Sequence, residues 1–450
     1  MKLSRLIIVI MIIIVLAISV FYVFLQSSVT ISYHSQAELS GYVTEYPTNA
    51  ATTEPNGIAV DSHGNVWFTL ENRSSLGELT AATGVIHEFP IPTHLNGGTT
   101  TWGIVVDNSR NLVWFTEQNS NSIWSFNISS HKFTRYELQN ASSFPFGITL
   151  DSKGNVWFTE FFNNDIGEIT SSGKMTEIPV PLRGYLEISS IAVNSSGGVW
   201  FTIPGIDFIG SYYNDQFTFR NLTGLAELPV GISIDKAGNI WMTEHGPSFI
   251  AEFNPTTNYF KTISTTVPNV LQTSLPYFDY VDQYGNVWFN EHYGNSIGEF
   301  LPYSNTLVEY EIPTRIKYAG NISGILTSAI SRSGEPWYTE FFAGKVGTVN
   351  TNVPLDLKLN LLNYTGPIIM KYNQSSSIQL QVSGGSASNA TIEGSVGNFT
   401  SAFSFTQSKN QEGRIITLHD GSSIAGVYFV TISAVTISLT VSRVIEVDVT

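Results

Sequence analysis

Between residues 41 and 350 the apolar positions come in short runs that alternate with polar ones, cut by turns rich in Gly, Asn and Asp. A period of two is the pattern of a half-buried β-strand. The runs also repeat. Asp61-Ser-His-Gly-Asn-Val-Trp67-Phe-Thr returns as Asp151-Ser-Lys-Gly-Asn-Val-Trp157-Phe-Thr-Glu, then around Trp241 and Trp288, with looser copies at Trp114, Trp200 and Trp337. Successive tryptophans stand 41–49 residues apart. That spacing fits one four-stranded propeller blade per repeat.

Each copy has a physical logic. A β-rich stretch such as Gly57-Ile-Ala-Val-Asp61 leads to an Asp-x-x-Gly-Asn turn, in which Asp bonds its own backbone and Gly supplies a positive φ. The Val-Trp-Phe-Thr strand follows, with Trp as the filler between blades. A second turn, Asn-x-Ile-Gly, appears at residues 164–167 and 295–298, and an outer strand ends in Pro, as at residues 176–179 and 309–313. Proline is tolerated there because an outer edge strand has a free side.

The outer-strand pattern first appears at residues 41–47, ahead of any inner strand, while the last inner strands end near Val349 with no outer strand after them. Residues 41–47 should therefore complete the seventh blade and close the ring, removing the open edges that invite aggregation. Past Asn352 the repeat stops. Short alternating strands such as residues 378–382 and 427–432, with turn-rich spacers, predict an immunoglobulin-like sandwich acting as a spacer or adhesion module. The expected fold is all-β: a seven-bladed β-propeller over 41–351 closed by its N-terminal outer strand, and a C-terminal immunoglobulin-like β-sandwich over 352–450. A transmembrane helix over 1–28 and a linker over 29–40 precede them.

The N-terminal segment sets the compartment. Lys2 and Arg5 precede an apolar run from Leu6 to Leu25 broken only by Ser19. Twenty residues of helix span about 30 Å, the thickness of a bilayer core. The run has no Ala-x-Ala site, so the expectation is an uncleaved single-pass anchor with the remainder outside the cell, the alternative being secretion after cleavage. Ten Asn-x-Ser/Thr sequons are compatible with an exported glycoprotein. With 21 Lys+Arg against 36 Asp+Glu and a net charge of −15, nucleic acid is excluded as a partner. The absence of cysteine rules out disulfides, thiolate metal sites and a cysteine nucleophile. Charged residues are only 13% of the chain, a composition that suits an acidic exterior where carboxylates are neutral.

The pattern Pro-x-Gly-Ile, Asp-x-x-Gly-Asn-Val-Trp-Phe-Thr-Glu, Asn-x-Ile-Gly, Glu-x-Pro-x-Pro resembles the virginiamycin B lyase (streptogramin lyase) family. It is clearest at residues 144–148, 157–160 and 88–92 and covers about 41–350. The resemblance implies a propeller that opens a cyclic depsipeptide by elimination, with a histidine base and a carboxylate-held Mg²⁺ polarising the ester. It places the family's sixth-blade histidine at Tyr277 and its seventh-blade base at Leu326. Glu340 falls near the family's metal-binding Glu. A base must reach the proton it removes, and neither Leu nor neutral Tyr replaces imidazole.

Other candidates come from departures within the repeat. The third residue after Trp is Glu in five copies: Glu117, Glu160, Glu244, Glu291 and Glu340. They could ring one face of the channel and draw a divalent cation, or each could hold its own blade by bonding turn amides. His245 and His292 each follow their Glu directly, in adjacent blades. If these strand ends converge, His245 and His292 are the candidate catalytic pair and Glu244, Glu291 and Glu340 the candidate ligands for Mg²⁺, Mn²⁺ or Zn²⁺. Tyr277, Glu117 and Glu160 would line the ligand rim. Neighbours on a strand face opposite ways, so Glu and His can share the channel only where the strand ends. Two functions follow: a membrane-anchored surface module binding a glycan, peptide or cell-surface protein, or a divergent metal-dependent lyase or hydrolase acting on a lactone or ester.

Overall fold

The computed structural model describes residues 30–50, 52–92, 99–265, 274–320, 322–396, 403–410, 413–421 and 425–450. The expected anchor at 1–28 lies outside them. Among the described residues no helix is long and apolar enough to cross a membrane.

The described chain is all-β, with a few single-turn 3₁₀ helices between strands. Six four-strand antiparallel units follow one another, at 55–90, 104–137, 145–179, 191–221, 229–264 and 276–311. The seventh takes three strands from 325–349 and its fourth, Val43–Pro47, from the start of the chain. Val43 pairs with Val349 and Pro47 with Lys345, so the expected clasp is in place. Within the expected linker, residues 30–40 are described and carry two further strands. Ile31–His34 pairs with the outer strand of unit one and Glu38–Ser40 with the closing strand of unit seven. Tyr33 packs against the core that units seven and one share, which draws this segment onto the ring.

The repeated residues explain the units. Asp61 Oδ1 accepts from the backbone N–H of His63 and Asn65, and its Oδ2 accepts from Asn65 Nδ2 and, at 3.2 Å, from the Trp67 indole. Asp151 and Asp235 repeat all four bonds. One carboxylate thus fixes both the turn and the tryptophan that follows it. The Gly of Asn-x-Ile-Gly makes room for an aromatic ring. Gly167 lies opposite Phe158, and a Cβ there would sit 2.0 Å from that ring.

Each Trp buries its ring against the next unit. Trp67 shares a core with Val106, Val113 and Phe126 of unit two, and Trp337 of unit seven shares one with Ile58, Val66 and Phe68 of unit one. Truncating such a ring to Ala costs about 3–5 kcal/mol. A circle of side-chain bonds runs inside these cores. Thr69 donates to the Thr101 carbonyl, Thr116 to Phe146, Thr159 to Ser189, Thr202 to Val230 and Thr243 to Tyr277. Asn290 Nδ2 continues to the Ile325 carbonyl and Thr327 to Asn56, back in unit one. Every unit is stitched to its neighbour around a central channel.

The C-terminal part is not merely tethered. Leu439–Val449 pairs with Thr306–Glu311, the outer strand of unit six, so one eight-stranded sheet runs from the channel into the C-terminal layer. A second sheet of four strands faces it across Leu359, Ile378, Leu380, Ile416 and Leu418. Phe429 and Val444 join the core of Trp241, Phe289 and Phe300 in units five and six. The sequence shows strands there; their pairing with the sixth unit is a tertiary fact that local patterning does not carry.

Candidate functional site

One mouth of the channel is paved with rings. Trp102 precedes the first strand of unit two, Phe146 lies in the first strand of unit three, and Tyr277 and Phe278 open unit six. Trp102 stacks on Phe146 with 5.2 Å between centroids and meets Tyr277, from across the ring, at 5.6 Å. Phe146 likewise meets Phe278 at 6.3 Å. Since units two and three are not neighbours of unit six, these contacts form a layer spanning the channel. The layer continues through Phe161 and Phe162 to the exposed ring of Tyr185.

His245 and His292 stand at the other edge of this layer. The strands Ile240–Glu244 and Val287–Glu291 end just before them, which frees each imidazole from the alternation that buries its Glu. Both backbone N–H groups are fixed in the same way, His245 to the Leu228 carbonyl and His292 to the Leu275 carbonyl, each at 3.1 Å. Leu228 and Leu275 hold positive φ to present those carbonyls. The structure therefore brings the two expected imidazoles together, 5.4 Å apart and nearly perpendicular. Tyr277 stacks on His292 at 4.4 Å and meets His245 edge-on at 5.0 Å.

The electrostatics keep both imidazoles neutral. Burial holds His292 down to about 3, aided by the adjacent His245 and opposed by the Leu326 backbone. Burial also lowers His245, whose Nδ1 lies 3.2 Å from the Pro276 carbonyl. His292 Nε2 is buried with no hydrogen-bond partner. Among the described residues no carboxylate is in ion-pair range of either ring.

The glutamates do not join them. Glu117, Glu160, Glu244, Glu291 and Glu340 are all wholly buried inside their own units. Glu117 accepts from the backbone N–H groups of Asn119, Ser120 and Thr100, the turn-holding role. Glu291 accepts from Ser296, and burial pushes it up to about 7. Burial, then the nearby Asp207, holds Glu244 well above the carboxylate range. Glu340 is raised by burial and by Glu45 on the closing strand, with Lys345 pulling the other way. Acids buried in separate units, out of ion-pair range of the imidazoles, do not fit a Mg²⁺, Mn²⁺ or Zn²⁺ centre at this mouth. Among the described residues Glu160, Asp165 and Glu177, on the strands of unit three, form a group of three acids that each offer one oxygen within 4.8 Å of the others.

Trp102, Phe146 and Phe278 escaped the sequence reading as site residues. Their signal lay in the Thr101-Trp-Gly-Ile, Phe144-Pro-Phe-Gly-Ile and Leu275-Pro-Tyr-Phe segments, which put a ring where units one and five carry Asn56 and Val230.

Residues 41–325 match the virginiamycin B lyase family. The virginiamycin B lyase of Staphylococcus aureus is 42% identical over 50 residues, a stretch that spans 11% of this chain and 17% of that enzyme. A streptogramin B lyase structure superposes with a TM-score of 0.61 at 27% identity, covering 69% of this chain and 97% of that one. A catalytically inactive variant of the S. aureus virginiamycin B lyase, solved with quinupristin, gives 0.60 at 26% identity over 68% and 98% of the two chains. A WD40-repeat structure reaches 0.55 at 8% identity over 70% and 99%, a likeness of β-propeller fold alone.

Proposed function

Because this chain belongs to the virginiamycin B lyase family, we propose that it is a cell-surface, seven-bladed propeller that binds a largely apolar ligand of the cyclic-peptide or lactone kind at its aromatic mouth. The seven four-strand units are its blades, the C-terminal sheets a fused immunoglobulin-like domain, and residues 1–28 the membrane anchor. One observation carries the reading: the layer formed by Trp102, Phe146, Tyr277 and Phe278 spans the channel beside two neutral imidazoles. Such a surface offers flat apolar faces and uncharged hydrogen-bonding groups. An imidazole held near 3 is a weak base, which favours binding over proton abstraction.

A second reading has its own support. The resemblance places the family's two histidines at Tyr277 and Leu326. His292 is stacked on the first and lies beside the backbone of the second. Two imidazoles from the ends of neighbouring strands thus stand where the family's positions have lost theirs, and a divergent lyase would use them without the family's metal arrangement.

Quinupristin, the ligand of the structural relative, separates the two. Calorimetry should register binding, and mass spectrometry after incubation should return the ring unopened. Ring opening that disappears in His292→Ala would replace the first reading with the second. Absence of binding would remove quinupristin-like lactones from both.

A further inference from the structure

The channel wall repeats as the strands do until unit six. Ile58, Ile104, Ile148, Ile191 and Ile232 occupy equivalent first-strand positions, opposite Phe68, Phe115, Phe158, Phe201 and Met242. Unit six has Asp279 there, opposite Phe289. Its carboxylate lies over Gly231 of the preceding unit just as Ile104 lies over Gly57 and Ile148 over Gly103. An aspartate therefore stands where five units have isoleucine.

That aspartate belongs to a cavity. The five isoleucines and Asp279 line a space of about 270 Å³ in the channel, roofed by Trp102 and Phe278 of the aromatic layer. Asp279 is its one charged lining residue among the described residues, and it is 3% exposed. Ser233 donates to one carboxylate oxygen, Oδ2, while Oδ1 has no partner. Ser190, 4% exposed and on the same cavity, also has an unpartnered hydroxyl. Buried polar atoms are nearly always bonded, so two orphans around one cavity point to a group that completes them. The cavity has its own approach. An adjoining space of about 550 Å³ shares Ile58, Ile104 and Tyr280 with it and runs on to Gln283 and Arg332 in the turns at the far mouth, away from the histidines.

We propose that this channel cavity is a second ligand site, entered from the mouth opposite the histidines, that takes a small organic ammonium ion with its charge against Asp279. The carboxylate supplies the counter-charge, Ser190 and Ser233 supply hydroxyl acceptors for the N–H groups, and the isoleucine wall takes the alkyl part. The faces of Trp102 and Phe278 at the roof favour a cation further. A hydrated inorganic ion would leave the aliphatic wall without a role.

The probe pair is n-butylammonium and its uncharged counterpart 1-butanol, titrated by ligand-observed NMR into the full-length protein at pH 8. The ammonium should bind at least about tenfold more tightly. Asp279→Ile, which restores the residue of the other units, should abolish that preference while circular dichroism and thermal melting show an intact fold. Asp279→Asn, close to isosteric, should do the same and stands in if the isoleucine variant misfolds. Equal binding of the two probes, no binding of n-butylammonium, or a preference that survives in both variants would overturn the site.

Discussion

The ring of Tyr277 lies on that of His292, 4.4 Å between centroids with the planes 27° apart. Tyr277 stands where the resemblance places a histidine, and in this chain the position covers an imidazole. Covering has a measurable effect, since burial is the main cause of His292's depressed value. By NMR, His292 should remain neutral down to pH 5. Tyr277→Phe keeps the ring and should leave that titration alone. Tyr277→Ala admits water and should raise the His292 value by more than about one unit toward the ordinary 6.5. A wild-type His292 that titrates near 6.5 would remove the stack as its cause.

Stability should rise on acidification. Burial raises Glu71, Glu78, Glu160, Asp279, Glu291, Glu299 and Glu311 to about 7. For such a group the folded state holds its proton more tightly than the unfolded chain. Its contribution is complete below the unfolded value near 4 and is lost as pH climbs through about 7. His245 and His292 act the other way, because their lowered values favour unfolding below about 6.5. The carboxyls outnumber them. The melting temperature at pH 5 should exceed that at pH 8 by about 5 °C or more, with most of the change between pH 5 and 7. A flat profile, or a fall on acidification, would contradict this.

How far the sequence discloses this molecule depends on whether the information is local. The Asp61 turn, the Trp67 filler and the Gly167 contact recur because each unit solves the same local problem, so the repeat is readable. The closing strand Val43–Pro47 is readable because one outer-strand pattern comes too early and one is missing at the end. His245 and His292 are readable as departures from the repeat, though their approach to 5.4 Å is not. The contact of Trp102 with Tyr277 joins residues far apart in sequence across the ring, and no periodicity shows which side chains meet over a channel. The glutamates mislead for a related reason. A buried acid that holds a turn and an acid that holds a metal are written with the same letter.

The C-terminal sheets should prove integral to the ring. Val441 pairs with Val308 at the junction, and Arg443 Nη1 donates to Thr306 Oγ1 at 2.8 Å. Truncation after Thr351 would strip the outer strand of unit six of its partner and uncover Phe300 and Leu307 beside Trp241. An exposed apolar edge is an aggregation template. The truncated protein should be recovered in aggregates, or melt more than about 5 °C below the full chain by calorimetry. Val444→Pro offers a gentler version: it removes the N–H that donates to the Asn305 carbonyl at 2.9 Å in the same seam and should lower the melting temperature without affecting quinupristin binding. A truncated chain as stable and soluble as the whole would make the C-terminal part an independent module.

Asn290 shows why unit six departs from the repeat as a group. The other units carry Thr at this position, and in the first five its hydroxyl spans to the next unit's carbonyl, as Thr243 does to Tyr277. Asn290 accepts from the Phe278 N–H at 3.1 Å and donates to the Ile325 and Leu326 carbonyls at 2.9 and 3.3 Å. The longer side chain thus holds two carbonyls of unit seven where threonine holds one, and it does so beside His292, whose titration feels the Leu326 backbone. Asn290→Thr should keep the circle closed and cost less than about 1 kcal/mol by denaturant unfolding. Asn290→Ala leaves the Phe278 donor and the Ile325 carbonyl buried and unpaired, and should cost about 2–3 kcal/mol. If the alanine variant is as stable as wild type, the circle of side-chain bonds is incidental to the ring. If the threonine variant is as damaging as the alanine one, the grip on both carbonyls is what unit six requires.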